Sequence, residues 1–117
     1  MADCLDDIRT RLRAFVAERD WAQFHDPKNL AMAVASEAGE LLAEYRWIAN
    51  AQADAWSSQQ ENKQRVAMEA ADVGIALLLL CERVDVDLVE AMRAKITQNA
   101  QNYPVVESKG RHSRPGS

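Results

Sequence analysis

Turn-forming residues are scarce in this chain of 117 residues, with only four glycines and three prolines, which excludes an architecture of many short strands joined by hairpins. Cysteine is rarer still. Cys4 and Cys81 are the only two, so no disulfide framework is indicated and a reducing cytoplasm is the expected compartment. The two histidines, His25 and His112, are too few for imidazole-rich metal chemistry. Basic residues are outnumbered, 14 against 18 acids, and the net charge of -4 argues against binding a nucleic acid polymer through its phosphates. A long uncharged apolar run is missing too. The most apolar stretch, residues 66–81, carries two acids and is shorter than the roughly 20 residues a membrane span needs, so it reads as a buried helix of a soluble protein. The N-terminus MADCLDDIRTRLRAF has acids where an export signal wants a basic start, and no such signal is expected.

What remains is helix. Leu5, Ile8, Leu12, Phe15 and Val16 recur at helical spacing and predict a first helix over about 3–19. The stretch DWAQFHDPKN breaks the pattern, because Pro27 disfavours helical geometry at Asp26, and Asn29 is a good N-cap. A second helix is then expected over about 30–47, with Leu30, Val34, Ala38, Leu41 and Tyr45 on its apolar face. After a polar connection with room for a short helical turn, Ser58 and Glu61 form a capping-box pattern that opens a third helix over about 59–83. Asp87 and Glu90 form another, opening a fourth helix that ends near Asn102 ahead of Pro104. The expectation is an all-α bundle of four main helices in one domain over 1–104, with a mobile tail over 105–117.

The run VAMEAADVGIALLLLC raises the chemical question, since Glu69 and Asp72 sit where the sequence otherwise asks for burial. Glu37 and Glu40 form a similar pair on the second helix, each pair lying one turn apart on one face. Such spacing is common in a chain with 18 acids, and solvated or Arg-paired carboxylates would show it as well. No Lys or Arg occurs between 66 and 81, however, so any positive partner comes from elsewhere in the fold or from an ion. Converging carboxylates raise each other's pKa, and a hard divalent cation such as Mg²⁺ relieves that while keeping coordination sites for phosphate oxygens.

Other groups could serve a phosphorylated ligand. Lys95, Asn99 and Tyr103 recur at intervals of four on the last helix, an ammonium, an amide and a phenol along one stripe that would otherwise be an ordinary solvated face. Trp21, Phe24, His25 and Trp47 lie near the ends of the first loop and second helix, where a flat ring could stack on a base or simply pack in the core. Lys28 beside Asn29 could reach phosphate.

WAQFHDPKNLAMAVASEAGELLAEYRW, EAADV and KITQNAQNYP, in that order over residues 18–104, resemble the MazG-like all-α nucleoside triphosphate pyrophosphohydrolases, most closely the dCTP pyrophosphatase branch. The resemblance implies Mg²⁺, with Mn²⁺ as a substitute, on Glu37, Glu40, Glu69 and Asp72, and hydrolysis of a nucleoside triphosphate to the monophosphate and pyrophosphate. It implies phosphate or sugar contacts from Lys95, Asn99 and Tyr103, a base pocket from Trp21, His25 and Trp47, and a homodimer or homotetramer. Glu37 or Glu40 is the expected general base. Cytosine-selective relatives can carry an aromatic one turn after the last acid, where this chain has Ala76, so the base is left open between cytosine, modified pyrimidines and uracil, and the sugar between deoxyribose and ribose. The competing reading is a non-catalytic helical interaction module whose acids fix subunit pairing.

Overall fold

The structure is a computed structural model that describes residues 4–112. Helix α1 (Cys4–Glu18) is followed by a 3-10 turn (Ala22–Phe24) and α2 (Pro27–Tyr45). A second 3-10 turn (Asn50–Gln52) leads into the short α3 (Ala53–Ser58), then α4 (Gln60–Arg83) and α5 (Leu88–Asn102), with one further turn, α6 (Val105–Ser108). No strand occurs among the described residues. The chain divides into two compact units, one up to Asp85 and one from Val86.

Helix ends carry the main differences from the sequence expectation. Helix α2 begins at Pro27 instead of Leu30, because Asp26 is the cap: its carboxylate accepts from the Asn29 amide at 3.0 Å. Proline suits this first helical position, since its missing N–H would find no partner there anyway. Asn29 therefore lies inside the first turn, and its side-chain amide donates to the Phe24 carbonyl at 3.4 Å. The Ser58 box does not form. Ser58 donates to the Ala55 carbonyl within α3, and α4 starts after an extended Gln59. Asp87 does cap α5, accepting from the Glu90 amide at 3.1 Å, while the Glu90 carboxylate turns to Arg93. Helices α1 and α4 are each stopped by an aspartate in left-handed geometry, Asp20 at φ 55° and Asp85 at φ 57°, a conformation aspartate tolerates better than most residues. Val105–Ser108, at the start of the tail expected to be mobile, forms one helical turn, and residues 113–117 of that tail lie outside the described residues.

In the first unit α4 is the central element, packed against α1, α2 and α3. Helices α2 and α4 run antiparallel, because Glu44 meets Arg65 at one end while Glu37 meets Glu69 and Asp72 further along. Among the described residues, Leu30, Ala76, Leu78 and Cys81 are the buried apolar ones. Each fully buried side chain the size of leucine stabilises by about 1.5–3 kcal/mol. Helix α1 is joined to α4 by Arg13, whose guanidinium grips both oxygens of Glu82. No helix among the described residues is long and apolar enough to cross a membrane.

Candidate functional site

The antiparallel register of α2 and α4 brings three acids together. Glu37 on α2 and Glu69 and Asp72 on α4 each offer a carboxylate oxygen, and all three oxygens lie within 4.8 Å of one another. The pairs arise from helix geometry, since residues three apart share a face. Their burial departs from the expectation of a submerged cluster. Glu37 and Glu69 are half-buried, and Asp72 is exposed. Ala38, expected on the apolar face of α2, is exposed, and the half-buried Glu37 lies beside it.

Glu40 is exposed and stands outside the triad, although its charge still reaches Glu69. Partial loss of hydration, followed by the negative charges of Asp72, Glu40, Glu44 and Glu37, pushes the Glu69 carboxyl above its ordinary pKa. Every one of these influences acts in the same direction. Such a set of hard oxygen donors fits a divalent cation, which would remove the repulsion that raises Glu69.

Beside the triad lies an open cleft of about 380 Å³, lined by Trp21, Phe24, His25, Asn29 and Leu30, and by Ala33 and Glu37 of α2 with Asp72, Ile75, Ala76 and Leu79 of α4. Four residues singled out in the sequence, Trp21, Phe24, His25 and Asn29, thus line the same cleft as two of the acids. The 3-10 turn does this, because its carbonyl from Phe24 is tied to the α2 N-terminus through Asn29. Trp21 is held from behind by an edge contact with Phe15, ring centroids 5.6 Å apart. Ala76 is buried in the cleft wall, where its single methyl leaves the space a larger side chain would fill.

Not all expected residues join this group. Lys28 is exposed in the first turn of α2 and does not line the cleft. Trp47 lies beyond the end of α2, is 84% exposed, and is capped by the Arg46 guanidinium 5.3 Å from its ring. Lys95 and Asn99 share a face of α5 at i,i+4 and Tyr103 follows at the helix end, all exposed and all in the second unit.

The structure adds a polar network that spacing arguments did not single out. Arg65 donates to Glu44 at 3.2 Å and to the Asn62 side-chain oxygen at 3.0 Å. Asn62 is buried and donates to the Trp56 carbonyl at 3.0 Å. Trp56 meets Tyr45 edge-on at 5.1 Å, and the Tyr45 hydroxyl bonds Ser57 at 2.8 Å. The i,i+4 spacing of Arg65 and Glu69 on one helix points to a different pairing, so the sequence carried no signal for this network.

An all-helical chain that sets Glu-x-x-Glu on α2 against Glu-x-x-Asp on α4, beside an aromatic-walled cleft, has the ordered features of the MazG-like class. The sequence profile of the MazG-like family matches residues 32–116, and the chain belongs to that family. It is 41% identical over 106 residues to dCTP pyrophosphatase 1 of Rattus norvegicus, an alignment covering 91% of this chain and 62% of that protein. It is 37% identical over 100 residues to dCTP pyrophosphatase 1 of Homo sapiens, covering 86% and 59%. The chain thus spans about three fifths of the length of the curated relatives it matches. A crystal structure of a pyrophosphatase from Archaeoglobus fulgidus superposes with a TM-score of 0.80 at 32% identity, covering 89% of this chain and 95% of that one.

Proposed function

We propose that this chain is a Mg²⁺-dependent nucleoside triphosphate pyrophosphohydrolase, with Mn²⁺ able to substitute, that converts dCTP or a modified pyrimidine deoxynucleotide to its monophosphate and pyrophosphate. The observation that carries this reading is the convergence of Glu37, Glu69 and Asp72 beside a cleft walled by Trp21, His25 and Asn29. The names of the rat, human and archaeal relatives support it.

In this reading Glu37, Glu69 and Asp72, with Glu40 at their edge, hold the divalent cation. The bound ion supplies neutralisation of the phosphates and polarisation of the attacking water. Of the two candidate bases, Glu40 has its carboxylate free of the triad, and it takes the proton as water oxygen bonds to the α-phosphorus. The bond from that phosphorus to the bridging oxygen breaks and pyrophosphate leaves. No covalent nucleophile is needed, since in-line displacement gains chiefly from positioning and charge stabilisation. Trp21 presents a ring face to the base, and His25 and Asn29 orient it. Trp47 as a further base contact, Lys28 as a phosphate contact, and Lys95, Asn99 and Tyr103 as phosphate or sugar contacts rest on the sequence alone, since none of them lines this cleft. The space beside Ala76 favours a base bulkier than cytosine, including a substituted pyrimidine, and leaves uracil and ribonucleotides as further substrates to be assayed.

Residues 1–104 act as one catalytic domain in the cytoplasm, cleaning the nucleotide pool, with no nucleic acid polymer or membrane as partner. A homodimer or homotetramer completes it. Met32, Leu42, Trp47 and Met68 of the first unit are each at least 60% exposed, more apolar surface than a lone chain of this size comfortably leaves in water. The test is substitution at the triad. Glu37→Gln and Asp72→Asn should each abolish Mg²⁺-dependent turnover of dCTP with the circular dichroism spectrum unchanged. Retained turnover would remove these residues from the metal site, and a wild-type chain that neither turns over nor binds nucleotide would favour the interaction module.

A further inference from the structure

An arginine four residues before a glutamate on the same helix is placed to pair with it, and Arg65 stands in that relation to Glu69. In the structure Arg65 is engaged elsewhere. Its Nε donates to Glu44 across the α2–α4 contact at 3.2 Å, and a terminal guanidinium nitrogen donates to Asn62 at 3.0 Å. Asn62 is itself fixed, buried and bonded to the Trp56 carbonyl, and the guanidinium lies 5.9 Å from the Trp56 ring centre. The Glu44 side chain is only 20% exposed, so its carboxylate is a held acceptor facing α4 and not a freely solvated one.

From this geometry we infer that Glu44 is a positioning residue: it holds Arg65 back from Glu69, so that the acidic triad keeps its negative charge for a divalent cation. The inference rests on the proposed metal site and adds a device to it. Without Glu44 the Arg65 guanidinium loses its cross-helix acceptor and is released to the two carboxylates one turn away on its own helix, Glu61 and Glu69, and at Glu69 it competes with the metal. Glu44 thus promotes metal binding without ligating the ion. Its own charge acts on Glu69 from a distance, in the same sense as the other acids.

The experiment is calorimetric titration of the full chain with Mg²⁺ in the absence of nucleotide. Glu44→Gln should weaken Mg²⁺ binding about tenfold, the scale of one guanidinium charge acting on a divalent ion a few ångström away in high-dielectric surroundings. The double variant Glu44→Gln/Arg65→Gln should recover affinity to within about twofold of wild type, because the competitor is gone. Circular dichroism of both variants checks that the helices persist. Equal weakening in the single and double variants would make Glu44 a ligand and overturn the inference, as would unchanged affinity in Glu44→Gln. Arg65→Gln alone should stay within about twofold of wild type, and a tightening as large as the Glu44→Gln loss would make both residues simple sources of field and overturn it too. A wild-type chain that binds no Mg²⁺ would overturn the metal site itself, and the inference with it.

Discussion

Glu69 is where the chemistry of single residues is most exposed to test. Its carboxyl is raised above the ordinary value by lost hydration and by four neighbouring acids. A group whose pKa is higher in the folded than in the unfolded chain contributes stability that is complete below the unfolded pKa and is lost as the pH rises through the folded one. Without metal, the thermal midpoint should therefore fall as pH rises above about 4.5, the ordinary glutamate value, and Glu69→Gln should remove that fall and raise the midpoint at neutral pH. Saturating Mg²⁺ should flatten the same slope in the wild type. Glu82 acts oppositely. The side-chain hydrogen bond from Arg13 holds its carboxyl below the ordinary range, so its contribution is present above the unfolded pKa and disappears as the pH falls through the folded one. The two windows lie on either side of 4.5, which lets a pH series of melting curves separate them.

At the scale of helices, the start of α2 controls how the cleft is assembled. Asp26 caps the helix, Pro27 begins it, and Asn29 ties its first turn to the 3-10 turn that carries Phe24 and leads to His25. Asp26→Ala should cost about 0.5–2 kcal/mol of stability, the usual loss for an N-cap, read from urea unfolding. It should also raise KM for the nucleotide more than it lowers kcat, because the residues it loosens line the cleft and stand apart from the triad. A loss of kcat alone would contradict that placement. The helices themselves were largely legible in the sequence, since the spacing of Leu5, Ile8, Leu12 and Phe15 leaves no other economical reading for α1. The ends were less so. Asp26 and Asn29 are both good caps, and only the fit of Pro27 into the first turn decides between them. Ser58 illustrates the same limit: its hydroxyl found a carbonyl behind it in α3, a short helix that the polar connection did not announce beyond room for a turn. The triad was foreshadowed by spacing, whereas the Glu44–Arg65 pair depends on helix register, which periodicity within one helix does not encode.

For the molecule as a whole, the first unit carries the acids and the cleft, and the second carries the stripe of Lys95, Asn99 and Tyr103. The sequence led to the expectation that Glu69 and Asp72 are buried, because their neighbours are so apolar. Yet Met68 is 67% exposed and Ile75 38%, so much of the apolar character of α4 remains on the surface of one chain. That character is explained if it serves contacts between copies, and the acids are tolerable because Asp72 is exposed and Glu37 and Glu69 are only half-buried. The central claim is cleavage between the α and β phosphates, and it is tested most directly by product identity. The full chain incubated with Mg²⁺ and dCTP, with modified pyrimidine nucleotides in parallel, should yield the monophosphate and pyrophosphate in equal amounts, resolved by ion-exchange chromatography. Release of orthophosphate with the diphosphate would contradict it.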